Sequence, residues 1–130
     1  MILILTGTQK HPMRRLIKTV NAIAGKIDTP VIFQGCECVE TRLSPKVVHH
    51  EFIETDNLIK FYARADTVIS HAGTGSLIQS IKNGHKPLIA IREMQYGEHI
   101  DDHQLEIAQL FFDNDLGSRL DLHNLNIFRT

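Results

Sequence analysis

Six residues, His71-Ala-Gly-Thr-Gly-Ser76, place an imidazole, two glycines and two hydroxyls directly behind the apolar run Thr67-Val-Ile-Ser70. Glycines at such a point let a bulky group come close to the main chain, while Thr74 and Ser76 supply hydroxyl and amide donors where a helix begins. The chemistry this suits is the binding of a phosphate or pyrophosphate on backbone N–H groups. One helix terminus favours an anion by only about 0.3–1 kcal/mol, so several amides must act together. The same glycines would also serve a turn that only packs helix against strand, and the motif taken alone leaves both readings open. Two nucleotide fingerprints are absent: no third glycine follows Gly75 at the GxGxxG spacing, and no Gly-Lys-Ser/Thr ending exists.

A second group of chemically capable residues is Tyr96-Gly-Glu-His-Ile-Asp-Asp-His-Gln104. His99 and His103 are four apart and would share a metal-binding face if both were helical. A helix that starts only at Asp101 or Asp102 leaves His99 in the loop, and the aspartates then act as caps. Gln104, in the first turn, is expected to point a neutral amide into the cleft, suited to sugar hydroxyls. Cys36 and Cys38 stand one residue apart, too close for an easy disulfide and without the second pair of a zinc site, so free thiols are expected.

Strand-length apolar runs alternate with segments of helical period, which predicts a parallel sheet covered by helices. Strands are expected at Ile2 to Leu5, Val31 to Phe33, Val47 to Phe52, Thr67 to Ser70 and Leu88 to Ile91. A first helix with Pro12 at its opening position carries Leu16, Ile17, Val20, Ile23 and Ala24 on one face and stops at Gly25. A second, capped by Thr55 or Asp56, buries Leu58, Ile59, Tyr62 and Ala63. A third runs from about Gly75 to Lys82, ahead of the stop signal Asn83-Gly84-His85-Lys86-Pro87. The last, capped by Asp101 or Asp102, holds Leu105, Ile107, Ala108, Leu110 and Phe111. The segment 114–130 has apolar residues at mixed spacing and no assigned structure; its Leu120, Leu122, Leu125 and Ile127 suit either core covering or a partner surface. In such a sheet ligands bind beyond the carboxyl ends of the strands, so Gly7-Thr8-Gln9, His71 to Ser76 and Arg92 to Gln104 should meet at one edge.

The chain of 130 residues, 42% hydrophobic with a formal charge of −1, is sized for a single domain spanning 1–130. Mixed charge and few aromatics argue against a nucleic-acid partner and against a polybasic membrane surface. The start, MILILTGTQK, reads as a first strand rather than a leader, and no apolar stretch approaches the roughly 18 residues of a membrane span.

Three segments together, TVISHAGTGSL, NGHKPLIAI and YGEHIDDHQLEIA, following MILILTGTQ, resemble the C-terminal donor-binding domain of family 28 glycosyltransferases. The likeness covers about residues 1–112. More narrowly it resembles the small subunit of split bacterial capsule and exopolysaccharide glycosyltransferases, and its eukaryotic relative in dolichol-linked N-acetylglucosamine transfer. This implies an α/β, Rossmann-like open parallel sheet flanked by helices, equivalent to the C-terminal half of a GT-B glycosyltransferase. It further implies the donor-binding subunit of an inverting hexosyltransferase, moving a sugar from a UDP-sugar to a lipid-linked saccharide acceptor.

By resemblance, Gly7, Thr8, Gly73, Thr74, Gly75 and Ser76 take the diphosphate, Gln79 the ribose, and Gln9, Asp102, His103 and Gln104 the donor sugar. The general base is expected from the partner, with Asp102 and His103 as weak candidates. No cofactor and no metal are expected, the UDP-sugar being a substrate. The implied partner is a membrane-associated acceptor-binding subunit, which would hold this cytoplasmic chain at the inner face of the membrane; the isolated chain is open to homo-oligomerisation. Relatives commonly carry Glu where this chain has Gln79, which forfeits a charge-assisted bond to the ribose. Two rival readings are a noncatalytic module that binds a nucleotide sugar or activates a partner glycosyltransferase, and a flavodoxin-like domain whose glycines serve packing alone.

Overall fold

Ile2–Leu5, apolar at every position and buried at every position, forms β1 in the interior of the sheet. A strand buried on both faces reads as a continuous apolar run, the signature of a parallel sheet covered on both sides. The computed structural model describes residues 1–7, 13–36, 42–91 and 103–121. In it β1 is followed by α1 (Arg14–Ala24), β2 (Val31–Gln34), β3 (Val47–His50), α2 (Thr55–Arg64), β4 (Thr67–His71), α3 (Thr74–Lys82), β5 (Leu88–Ala90), α4 (His103–Asp113) and β6 (Ser118–Arg119). The six strands lie in the order β3-β2-β1-β4-β5-β6, and every pairing is parallel.

Alternation along the strands sends side chains to two cores. Ile2, Ile4, Val31, Phe33 and Ile69 pack under α1, whose Leu16, Ile17, Val20 and Ile23 form the face read from the sequence. Leu3, Leu5, Ile32 and Val68 pack on the opposite face with Tyr62 of α2, and Ile89 joins Leu77 of α3 and Ala108 of α4. Burying one such side chain stabilises the fold by about 1.5–3 kcal/mol, and each strand contributes to both layers.

Several boundaries differ from the sequence reading. β3 ends at His50 rather than Phe52, which is exposed. Glu54, not Thr55 or Asp56, occupies the N-cap of α2. Ile59 and Ala63 are exposed instead of buried, because α2 turns Tyr62, with Leu58 and Phe61 beside it, to the core. β4 extends to His71, and α3 starts at Thr74 with Gly73 as its N-cap. Leu105 and Leu110 face outward from α4, which turns Gln104 and Ala108 to the protein. After α4, Ser118–Arg119 adds a parallel edge strand to β5, and Leu120 is buried beneath it. Pro12, Cys38, Asp101, Asp102 and Leu122 to Ile127 lie outside the described residues, while Cys36 is a half-buried thiol. No helix among the described residues is long and apolar enough to cross a membrane.

Tyr62 ties α2 to α3. Its hydroxyl lies 3.2 Å from Ser80 Oγ, which donates to the Ser76 carbonyl at 2.9 Å, and His85 Nε2 donates to the Tyr62 carbonyl at 2.7 Å. Burial pushes the phenol above its usual value of 10.0, partly offset by the Ser80 bond. The folded state therefore holds this proton more tightly than the unfolded chain. The stability involved is fully present below about pH 10 and is lost as pH rises through the raised pKa. Tyr62→Phe should lower stability by about 1 kcal/mol at neutral pH. It should also flatten the alkaline fall in melting temperature, as followed by circular dichroism.

Candidate functional site

The chain builds the sheet outward from β1 in one direction and, after returning at β4, outward in the other, so the order reverses between these two strands. Open α/β sheets bind ligands at this reversal, beyond the carboxyl ends of the strands. Leu5 is in register with Ser70, which brings Gly7 and the segment His71 to Gly73 out side by side.

His71 fills the junction and is only 7% exposed. Gly7 has φ +81°, and a Cβ added there would lie 2.7 Å from His71 Cε1. A Cβ on Gly73 would overlap the same ring more severely. These two glycines therefore let the imidazole seat between the loops. Gly75 is different: a Cβ there meets nothing within 4 Å.

Side chains from α3 and α4 lie against both ring nitrogens. Ser76 Oγ lies 3.3 Å from His71 Nε2, and Gln104 Nε2 lies 3.3 Å from His71 Nδ1. Gln104 is 4% exposed, so the residue expected to face a sugar is turned inward. Its Oε1 is buried with no hydrogen-bond partner among the described residues. A buried polar atom in that condition is destabilising by about 1–3 kcal/mol, which marks the position as more than core.

Donors for an anion stand immediately above. Gly73 has extended dihedrals (φ −81°, ψ 130°), and among the described residues no side chain caps α3. The first helical bond runs from Leu77 N to Gly73 O at 3.0 Å, so the amides of Thr74, Gly75 and Ser76 precede the ladder. Thr74 and Gly75 are exposed and Ser76 is half-buried. Three unladdered amides and two hydroxyls at a helix N-terminus can hold a multiply charged oxyanion.

Of the residues named from the sequence, the structure brings together Gly7, Gly73, Thr74, Gly75, Ser76 and Gln104. Gln79 lies on the exposed surface of α3, one turn beyond Ser76. His103 is exposed at the start of α4, with Nδ1 3.8 Å from Glu106 Oε2. Thr8, Gln9, Asp102 and His99 lie outside the described residues, which leaves the His99–His103 pair unplaced. Two contributors have no role in the sequence reading. His71 is the organising side chain, and its signal was its place as the first letter of HAGTGS. Arg15 reaches from the first turn of α1 to the Ile91 carbonyl beyond β5 at 3.1 Å, bracing that edge, and nothing in its spacing announces it.

Fold and site define a Rossmann-like α/β domain with the amides of Thr74 to Ser76 ahead of the helical ladder at its switch point, arranged like the C-terminal half of a GT-B glycosyltransferase. The chain belongs to the glycosyltransferase family 28 C-terminal domain family, whose model matches residues 1–116. It is 39% identical over 61 residues to the UDP-N-acetylglucosamine transferase subunit ALG13 of Yarrowia lipolytica, covering 47% of this chain and 29% of that protein. To the subunit of the same name from Candida albicans it is 45% identical over 60 residues, covering 46% of this chain and 19% of the other. Each match thus spans under a third of the relative's length. Among solved structures, the glycosyltransferase SnogD from Streptomyces nogalater superposes with TM-score 0.66 at 15% identity, covering 95% of this chain and 32% of that one. The glycotransferase of kitacinnamycin gives TM-score 0.63 at 17% identity, covering 95% and 31%.

Proposed function

We propose that this chain is the donor-binding subunit of a two-component inverting glycosyltransferase that moves a sugar from a UDP-sugar to a lipid-linked acceptor in polysaccharide biosynthesis. The observation that carries this reading is the cluster of unladdered α3 amides at the β1/β4 switch point, in a chain of family 28. The yeast relatives, named as subunits of a UDP-N-acetylglucosamine transferase, support both the nucleotide sugar and the need for a partner.

In this reading the acceptor hydroxyl attacks the anomeric carbon from the face opposite the diphosphate. The new C–O bond forms as the bond to the β-phosphate oxygen breaks, and its electron pair leaves on UDP. The amides of Thr74 to Ser76, fixed before the reaction, meet that charge as it develops. The acceptor's proton passes to a base on the partner subunit, which also carries the lipid acceptor and holds this chain at the cytoplasmic face of the membrane.

Purified alone, the chain is expected to bind UDP weakly and to turn over little or nothing. Mixing it with the product of the neighbouring large-subunit reading frame, labelled UDP-sugars and lipid acceptor should restore transfer. Robust transfer by the isolated chain would refute the split-enzyme reading. A noncatalytic nucleotide-sugar module is the second reading, favoured by Gln79 at the position where, by the family resemblance, a ribose-binding Glu is common. Binding of UDP-sugar without transfer in the reconstituted mixture would select it.

A further inference from the structure

We propose that Gln104 is a positioning residue whose amide sets the direction of the hydrogen-bond chain Gln104–His71–Ser76, turning the Ser76 hydroxyl hydrogen toward a bound diphosphate. This rests on the reading above that the switch-point edge takes a diphosphate. The two contacts, each 3.3 Å, leave the ring both of its nitrogens engaged by side chains of α4 and α3. With the Gln104 amide nitrogen at Nδ1, the N–H donates and Nδ1 accepts, so the neutral ring carries its proton on Nε2. Nε2–H then donates to Ser76 Oγ, whose own hydrogen points away from the ring to the α3 N-terminus. Reversing the amide reverses every step: Nδ1–H donates to Oε1, Nε2 accepts the Ser76 hydroxyl, and the oxygen lone pairs face the anion.

Both loops crowd the tip of the ring: a Cβ at Gly7 or at Gly73 would fall within 2.8 Å of its Nε2. Ser76 is held in turn, since Ser80 Oγ donates to its carbonyl at 2.9 Å. Gln104 is 4% exposed, and its amide nitrogen is directed to the ring. Its orphaned Oε1 is a burden that an apolar residue of the same length would not carry, so the amide is retained for the bond its nitrogen makes.

The test uses the full chain and Gln104→Met, which keeps the packing and removes the amide. Long-range 15N–1H correlation of the His71 imidazole should show the Nε2–H tautomer in the wild type and a mixture in the variant. By calorimetry, Gln104→Met should weaken UDP about tenfold, the effect of a lost charge-assisted donor, and leave uridine binding unchanged. In a Ser76→Ala background the same substitution should weaken UDP no further, because Gln104 acts through that hydroxyl. The melting temperature of Gln104→Met should stay close to that of the wild type, because relief of the orphaned Oε1 offsets the donor lost by His71 Nδ1. A wild-type Nδ1–H tautomer, unchanged UDP affinity, losses that add to those of Ser76→Ala, or loss of UDP-sugar with UDP retained would each overturn the proposal. A wild-type chain that ignores UDP yet shows the Nε2–H tautomer would sink the diphosphate reading while upholding the direction of the chain.

Discussion

Gly75→Leu is expected to abolish UDP binding while leaving the melting temperature at or above that of the wild type. The second residue of α3 is exposed, and a Cβ there meets no atom within 4 Å, so nothing in the packing requires glycine. Helical glycine is destabilising by roughly 0.5–1 kcal/mol relative to alanine, so replacing it should gain stability if anything. Its remaining use is to leave the amides of Thr74 to Ser76 uncovered from solvent. A leucine side chain over those donors keeps an oxyanion beyond hydrogen-bond distance. With several charge-assisted bonds lost together, the expected fall in affinity is at least about 100-fold, or 2.7 kcal/mol. Differential scanning fluorimetry and calorimetry on one sample separate the two effects. Retained UDP affinity would mean that the ligand does not rest on this turn, and the flavodoxin-like packing reading would then stand.

The sheet was legible because its information is local. Every strand of the buried interior is a short apolar run, and alternation of runs with helical periods is enough to choose a parallel sheet. The coming together of Gly7 with His71 to Ser76 was also legible, since topology alone sends both loops to one edge. What the sequence hid depends on helix rotation. Gln104, Leu105 and Leu110 share one helix, and residue type suggests burying the leucines and exposing the amide. The structure does the reverse, because Ala108 and Gln104 lie on the face that approaches β4 and β5. A small residue permits close approach, and the long amide reaches His71. Likewise β6 is two residues, Ser118–Arg119, whose place comes from pairing with β5 rather than from any pattern of its own.

Gly73→Ala should do the opposite of Gly75→Leu, reducing stability first and UDP binding as a result. The backbone at Gly73 is ordinary for any residue, φ −81° and ψ 130°, so the difficulty is entirely steric. The added methyl would enter the His71 ring, whose tip the Gly7 loop also crowds. Overpacking a tight site is destabilising by typically 1–3 kcal/mol. The upper end is expected here, because displacing the imidazole also breaks its contacts to Ser76 and Gln104, both 3.3 Å. Thermal or urea unfolding measures that loss. The decisive comparison is a double-mutant cycle with His71→Ala. If the ring is what Gly73 accommodates, Gly73→Ala in that background should cost under about 0.5 kcal/mol, giving an interaction energy of about 2 kcal/mol. Equal costs in both backgrounds would mean that Gly73 serves the turn itself and not the imidazole. Two glycines of one six-residue motif would then answer differently to the same chemical change, Gly73 making room for a side chain of the protein and Gly75 for a ligand.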